Sequence, residues 1–292
     1  MRFISDYIRD DALRHELNAL TRSTFYFDFE DWVTGGYFEG EYIPYSFEED
    51  GRVISNASAN IMNFCQHGQL RRYVQIGTVM TDEAFRNRGL ARRLIERIIA
   101  DYEGRCDGIY LFGNLSALDF YRKLGFGELT EHRYELRSDA AIALRPDDIF
   151  RPLDAQDASA RMRYRDAVRR AAPNAALDQI NRYGLHMFYT ADCGSVYYCA
   201  GLDCYAVLER EEGALTLSGI VCPYPVSLRE VVARIPDGYD TLALGFAPLA
   251  DDEGLFRALP YDGGEDYRLF YRGDALRSIE DERLYFPHLS HA

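Results

Sequence analysis

The tightest constraint on the fold lies in residues 73–113, where a strand pattern, a glycine-containing loop, an amphipathic helix and a second strand follow in close succession. Residues 73–80 read as a strand. The loop Arg86-Asn87-Arg88-Gly89-Leu90-Ala91 comes next. From Leu90 onward, Leu90, Leu94, Ile95, Ile98 and Ile99 keep to one face of a 3.6-residue period, while Arg92, Arg93, Glu96 and Arg97 hold the other. This helix ends near Gly104, and residues 108–113 form a short apolar strand flanked by glycines. This succession of strands and a helix reads as the α/β class.

The flanking sequence extends that unit in both directions. Residues 11–20 carry Leu13, Leu17 and Leu20 at helical spacing. The aromatic and acidic run Phe25-Tyr26-Phe27-Asp28-Phe29-Glu30-Asp31-Trp32 suits either a cleft lining or plain core. Residues 53–64 read as a strand joined to the next by hairpin chemistry at Gln66, His67 and Gly68. After the 108–113 strand, residues 116–124 suit a helix stopped by Gly125, and residues 134–136 a closing strand. Residues 138–150 read as a linker near Pro146 and Pro152, which divides the 292 residues into an N-terminal domain, 1–137, and a second α+β domain, 151–292. In the second domain a helix over 158–171 precedes strands at 195–199, 204–209 and 214–221, a helix at 227–235 and a strand at 241–246.

Charge and cysteine content narrow the function classes. A formal charge of −14 disfavours nucleic acid as a partner, since duplex binding needs a basic surface that releases counterions. It suits solubility first, and a cationic substrate as the second reading. No apolar run approaches the roughly 18 residues that span a bilayer, and the N-terminus lacks a leader pattern, so the expectation is a cytoplasmic protein with no membrane partner. Cys65, Cys106, Cys193, Cys199, Cys204 and Cys222 show no metal-ligand spacing and read as free thiols, with no metal expected.

The chemistry concentrates in two motifs. In the first, Gly89 and Ala91 allow close backbone approach where a helix N-terminus offers unpaired N–H groups, and Arg86 and Arg88 add positive charge, so the loop suits a pyrophosphate. The second comprises Asn114, Ala117, Phe120, Tyr121, Lys123, Gly125 and Phe126. Together they resemble the GNAT (GCN5-related) N-acetyltransferase superfamily: Arg86, Gly89 and Ala91 match its acyl-coenzyme loop, and Asn114 to Phe126 its later motif, in the family's order. The resemblance covers approximately residues 2–137.

The resemblance implies a GNAT fold in the first domain, acetyl-CoA as co-substrate, and transfer of the acetyl group to a small-molecule or peptide amine by direct attack in a ternary complex. It assigns Val79, Met80 and Thr81 to the pantetheine arm, and Arg86, Asn87, Arg88, Gly89, Leu90 and Ala91 to the pyrophosphate. Asn114 would bond the pantetheine, and Tyr121 would stand near the sulfur as general acid. A backbone N–H near Val79 or Met80 would serve the oxyanion. The base stays open among Asp28, Glu30 and Glu41. The alternative function is a coenzyme-binding sensor or scaffold without turnover.

The second half repeats the order of elements, suggesting a tandem GNAT with a degenerate second copy. Where a second phosphate loop belongs, Cys222-Pro223-Tyr224-Pro225-Val226-Ser227 removes two N–H donors. The other reading is an unrelated α+β domain that covers the acceptor cleft or forms a homo-oligomer interface. The apolar end of the sequence, with Tyr285, Phe286 and Leu289, is expected to dock. Some tandem GNAT proteins bring a C-terminal carboxylate to the active site, which the resemblance extends to Ala292, with His288 and His291 as the next residues of interest.

Overall fold

A computed structural model describes residues 1–292. In the first half the elements are β1 (Arg2–Ser5), α1 (Asp11–Phe25), α2 (Glu30–Thr34), β2 (Tyr42–Glu49), β3 (Arg52–Gln66), β4 (Gln69–Thr81), α3 (Leu90–Tyr102), β5 (Gly108–Asn114), α4 (Leu118–Lys123), β6 (Gly127–Leu129) and β7 (Glu131–Leu136). The second half supplies β8 (Arg151–Pro152), α5 (Ala158–Arg170), β9 (Leu177–Gln179), α6 (Tyr183–Thr190), β10 (Val196–Cys199), β11 (Cys204–Glu211), β12 (Ala214–Val221), α7 (Leu228–Val232), β13 (Thr241–Leu244), β14 (Phe256–Tyr261), β15 (Tyr267–Arg272) and α8 (Ser278–Asp281).

Two mixed sheets organise these elements. One runs β1-β2-β3-β4-β5-β15-β6, with β9 added to the end of β3, and the other runs β8-β10-β11-β12-β13-β7-β14. Each has a single parallel pair, β4 with β5 and β12 with β13. The two orders correspond place for place, but the strand in the sixth place of each sheet comes from the opposite half of the chain. β7 lies between β13 and β14, and β15 between β5 and β6.

Residues 134–136 do belong to a strand, but instead of closing the first sheet it lies inside the second, between β13 and β14. Only Thr130 separates β6 from β7. One residue cannot make the reversal that a hairpin requires, so the chain passes on to the neighbouring sheet. β15 fills the resulting gap with residues suited to a strand covered on both faces. Leu269 packs into the core shared by the two halves, and Phe270 into the core beneath α3, each essentially inaccessible to solvent. On that side Leu90, Leu94, Ile95 and Ile98 of α3 pack against Val74 and Ile76 of β4, as the apolar stripe requires.

The tail docks between the sheets. Phe286 is fully buried and stacks on Tyr110 with ring centroids 4.2 Å apart. Its N–H donates to Glu131 Oε1 at 2.9 Å, and Tyr267 O–H donates to the other carboxylate oxygen at 3.3 Å. Burial raises the Glu131 carboxyl from its ordinary 4.5 to about 8. Between those values the unfolded chain has lost this proton and the folded chain keeps it. The native state binds more protons there, so Glu131 makes stability fall as pH rises from about 4.5 to about 8, with no further loss above. Glu131→Gln copies the protonated form and should flatten that part of the slope in urea unfolding measured from pH 4.5 to 9. An unchanged slope in the variant would assign the dependence to other groups.

Candidate active site

The site begins with a defect in the first sheet. β4 pairs with β5 only through Tyr73, Val74 and Gln75, so its edge is unpaired from Ile76 onward. On the other side Asn56 faces Met80 while Ser58 faces Gly77, which leaves one extra residue on β4. Thr78 absorbs it with φ +42°. A polar network fixes this bulge: Asn56 Nδ2 donates to Thr78 O at 3.0 Å, Thr78 Oγ1 to Ser58 Oγ at 3.0 Å, and Asn60 Nδ2 to Gln75 O at 3.0 Å, while the Tyr42 hydroxyl lies 2.9 Å from Thr78 Oγ1.

Past the bulge, Asp82 N–H bonds Ile54 O, and Met80 O accepts from Ser55 Oγ at 3.1 Å. Antiparallel alternation therefore turns the main-chain groups of Met80 toward β3 and those of Val79 and Thr81 toward the open side. Thr81 O is engaged by Arg86 Nε at 3.3 Å, so the groups left on that edge include the Val79 and Thr81 N–H.

The loop leads into α3 with two residues in left-handed conformation, Asn87 at φ +63° and Gly89 at φ +73°. Gly89 is the N-cap of α3, no side chain caps the helix, and its first turn contains no acidic residue. Its N–H groups are thus open to an anion. Arg86 and Arg88 are tied locally, to Glu83 and to Ala84 O. Leu90 is buried as part of the α3 core, and Ala91 is half-buried.

Across the opening, Asn114 ends β5 and Tyr121 lies on α4. The Tyr121 ring packs against Gly113, where a Cβ would come within 2.8 Å of it, and its centroid lies 5.2 Å from that of the Phe270 ring of β15. Burial pushes its hydroxyl up to about 12, and no hydrogen-bond partner offsets the shift. The group is therefore a protonated phenol throughout the neutral range.

Between these elements lies a cavity of about 520 Å³ that contains Val79, Asn114, Tyr121, Tyr42, Gly77 and Ala292 in its walls. Phe25, Phe27, Phe29 and Trp32 line it too, so the aromatic run is cleft lining and core together. The second half contributes Leu185, Phe188 and Tyr189 from α6. Of the three acidic residues considered from sequence, Asp28 is paired with Arg22, and Glu30 with Arg14 and Asn18. Glu41 alone reaches the cavity.

The tail ends in the same space. Ala292 O lies so close to Gly77 that a Cβ there would come within 2.4 Å, and Gln75 Nε2 donates to it at 3.4 Å. His291 stacks on Phe112 at 3.9 Å, its carbonyl accepts from Tyr189 O–H at 2.5 Å, and its Nε2 has no partner. Burial pushes its imidazole down to about 3, so the ring is neutral. His288 is withdrawn from the cavity and pairs with the Tyr285 hydroxyl at 2.9 Å.

The corresponding break in the second sheet is plugged. β12 leaves β13 after Leu217, and Leu289 then lies against Gly219, where a Cβ would meet it at 2.9 Å. The space left there is about 40 Å³. The network residues Asn56, Ser58 and Asn60, and Gln75 opposite them, were missed from sequence. Their signal was a run of buried polar side chains inside otherwise apolar strands. α6 carried no signal that placed it over the first half.

Residues 6–126 match the acetyltransferase (GNAT) family. The sequence matches none of the curated proteins. Among solved structures, the chain resembles a protein from Enterococcus faecalis described as a probable N-acyltransferase, with 15% identity and a TM-score of 0.59, over 95% of this chain and 73% of that one. Eis1 from Mycobacterium abscessus aligns at 17% identity and a TM-score of 0.57, over 93% and 73%. A GCN5-related N-acetyltransferase from Kribbella flavida aligns at 17% and 0.56, over 95% and 73%. At these identities the likeness concerns the fold, and it extends through both sheets. No helix is long and apolar enough to cross a membrane.

Proposed function

With residues 6–126 a GNAT acetyltransferase domain, we propose that this protein transfers an acetyl group from acetyl-CoA to an amine in the cavity between β4, α4 and α6. The observation that carries this reading is that Val79, on the unpaired edge of β4, and the protonated Tyr121 line one cavity. The α3 N–H groups after Gly89 hold the pyrophosphate. The Val79 and Thr81 edge and Asn114 hold the pantetheine, and the Val79 N–H stands where the thioester oxygen gains charge.

The amine attacks the thioester carbon directly. A C–N bond forms, the C–S bond breaks, and Tyr121 gives its proton to the departing sulfur. The proton lost by nitrogen needs an acceptor near Gly77. The first half, approximately residues 1–137 with β15 added, carries this chemistry, while the second half roofs the acceptor space through α6.

Thiol release from acetyl-CoA across a panel of amines tests the reading. Tight coenzyme binding with no acceptor-dependent release would instead favour a sensor. Coenzyme A at a hundred times its Kd should stabilise the fold by about 2.7 kcal/mol. Gly89→Val should remove that shift, because a β-branched residue resists the φ of +73° found there. An equal shift in a folded Gly89→Val protein would move the phosphate site elsewhere.

A further inference from the structure

The end of the cavity beneath α2 and α6 contains an anomaly that acetyl transfer does not use. Glu41 is nine-tenths buried, and its Oε1 has no hydrogen-bond partner. Its other oxygen accepts only from Glu39 N–H, at 3.1 Å. The carboxylate fits against Gly184 of α6 so closely that a Cβ there would come within 1.4 Å of Oε1. That glycine is held in turn by Trp32, whose indole N–H donates to Gly184 O at 2.7 Å. Aromatic rings gather in the same region: Phe29 and Tyr42 lie 4.7 Å apart, and Phe188 lies 5.9 Å from Trp32 and 5.6 Å from Phe27.

A buried carboxylate oxygen without a partner is costly, and folded chains retain such groups where something else completes them. The shape of this place specifies what. An acceptor-only oxygen calls for a donor, the negative charge for a cation, and ring faces around an enclosed space favour an ammonium. Glu41 lines the cavity, and no cationic side chain of the protein pairs with it.

Resting on the acetyltransferase reading, we propose that the acceptor is a dication with an apolar spacer. One amine is presented at Gly77 and Tyr121 for acetylation. The second, an ammonium, is held at Glu41 among Phe29, Trp32 and Phe188. Glu41 is then a specificity-determining residue and not the base. The protein's charge of −14 brings cations to the opening, and the hydrophobic walls select those whose charges are separated by methylene or aryl groups.

Trp32 is the one tryptophan in the chain and lies in this wall, so its fluorescence reports occupancy without any acetyl transfer. The experiment titrates the protein with α,ω-diaminoalkanes of increasing length and with n-alkylamines of matching length, without acetyl-CoA. Diamines of one length range should bind at least tenfold more tightly than their matched monoamines. Glu41→Gln should weaken diamine binding roughly thirtyfold or more, leave monoamine binding unchanged and preserve the melting temperature. In turnover assays the same variant should raise KM for the diamine with little change in kcat. Equal binding of diamines and monoamines, or an equal effect of Glu41→Gln on both, would overturn the proposal. Diamine binding that depends on Glu41 without thiol release would sustain the site and overturn the acetyltransferase reading instead.

Discussion

Tyr121→Phe should slow acetyl transfer by about a hundred- to ten-thousandfold, the usual worth of a positioned proton donor, while coenzyme binding and thermal stability stay unchanged. The separation of effects follows from how the residue is held. Its ring is held against Gly113, with Phe270 of β15 nearby, and phenylalanine preserves those contacts. The hydroxyl bonds nothing within the protein, so its removal leaves no orphaned partner behind. With the phenol held near 12 by burial, the wild-type rate should not fall at moderately alkaline pH through loss of this proton. Pre-steady-state measurement of thiol release with a good acceptor is the appropriate test, because slow product release would mask the chemical step. Undiminished single-turnover rates in Tyr121→Phe would remove the residue from the mechanism.

A comparable loss is expected from a side chain at Gly77. Gly77 has no positive φ, so alanine suits its backbone, but the new Cβ would come within 2.4 Å of Ala292 O. The docked residues there must then shift within the acceptor space, while Tyr285, Phe286 and Leu289 remain to anchor the segment before them. Misplacing groups at a reacting centre by about 1 Å can cost about a hundredfold, so Gly77→Ala should lower turnover by about that factor while retaining coenzyme binding and the melting temperature. Full activity in Gly77→Ala would show that the position of residues 291 and 292 does not govern acetyl transfer.

Local features of the fold were legible where one stretch of sequence determined them. The apolar stripe of α3, the His67-Gly68 hairpin and the stop at Gly125 each depend on a few neighbouring residues, and each is present in the structure. The exchange of β7 and β15 was not legible, because periodicity tells which residues form a strand but not which sheet receives it. Residues 134–136 illustrate this limit: their strand was foreseen, but its partner was not.

The candidate site divides in the same way. The Arg86–Ala91 loop and Tyr121 stand on short motifs, so sequence named them. Glu41 was one of three comparable carboxylates until Arg22 and Arg14 were found to occupy Asp28 and Glu30. Phe188 and Tyr189 join the cavity across more than a hundred residues of sequence, a contact that no local pattern encodes.

The reciprocal strand exchange also constrains how the molecule comes into being. Domains commonly fold one after another as the chain emerges from the ribosome, the N-terminal one first. Here the first sheet lacks its sixth strand until residues 267–272 have been synthesised. Until then β5 has an unpaired edge on the side β15 will occupy, and such edges invite pairing with other chains. β7, made much earlier, must in turn wait for β13 and β14 before it has neighbours. Neither sheet can therefore be completed until the second half of the chain has been made.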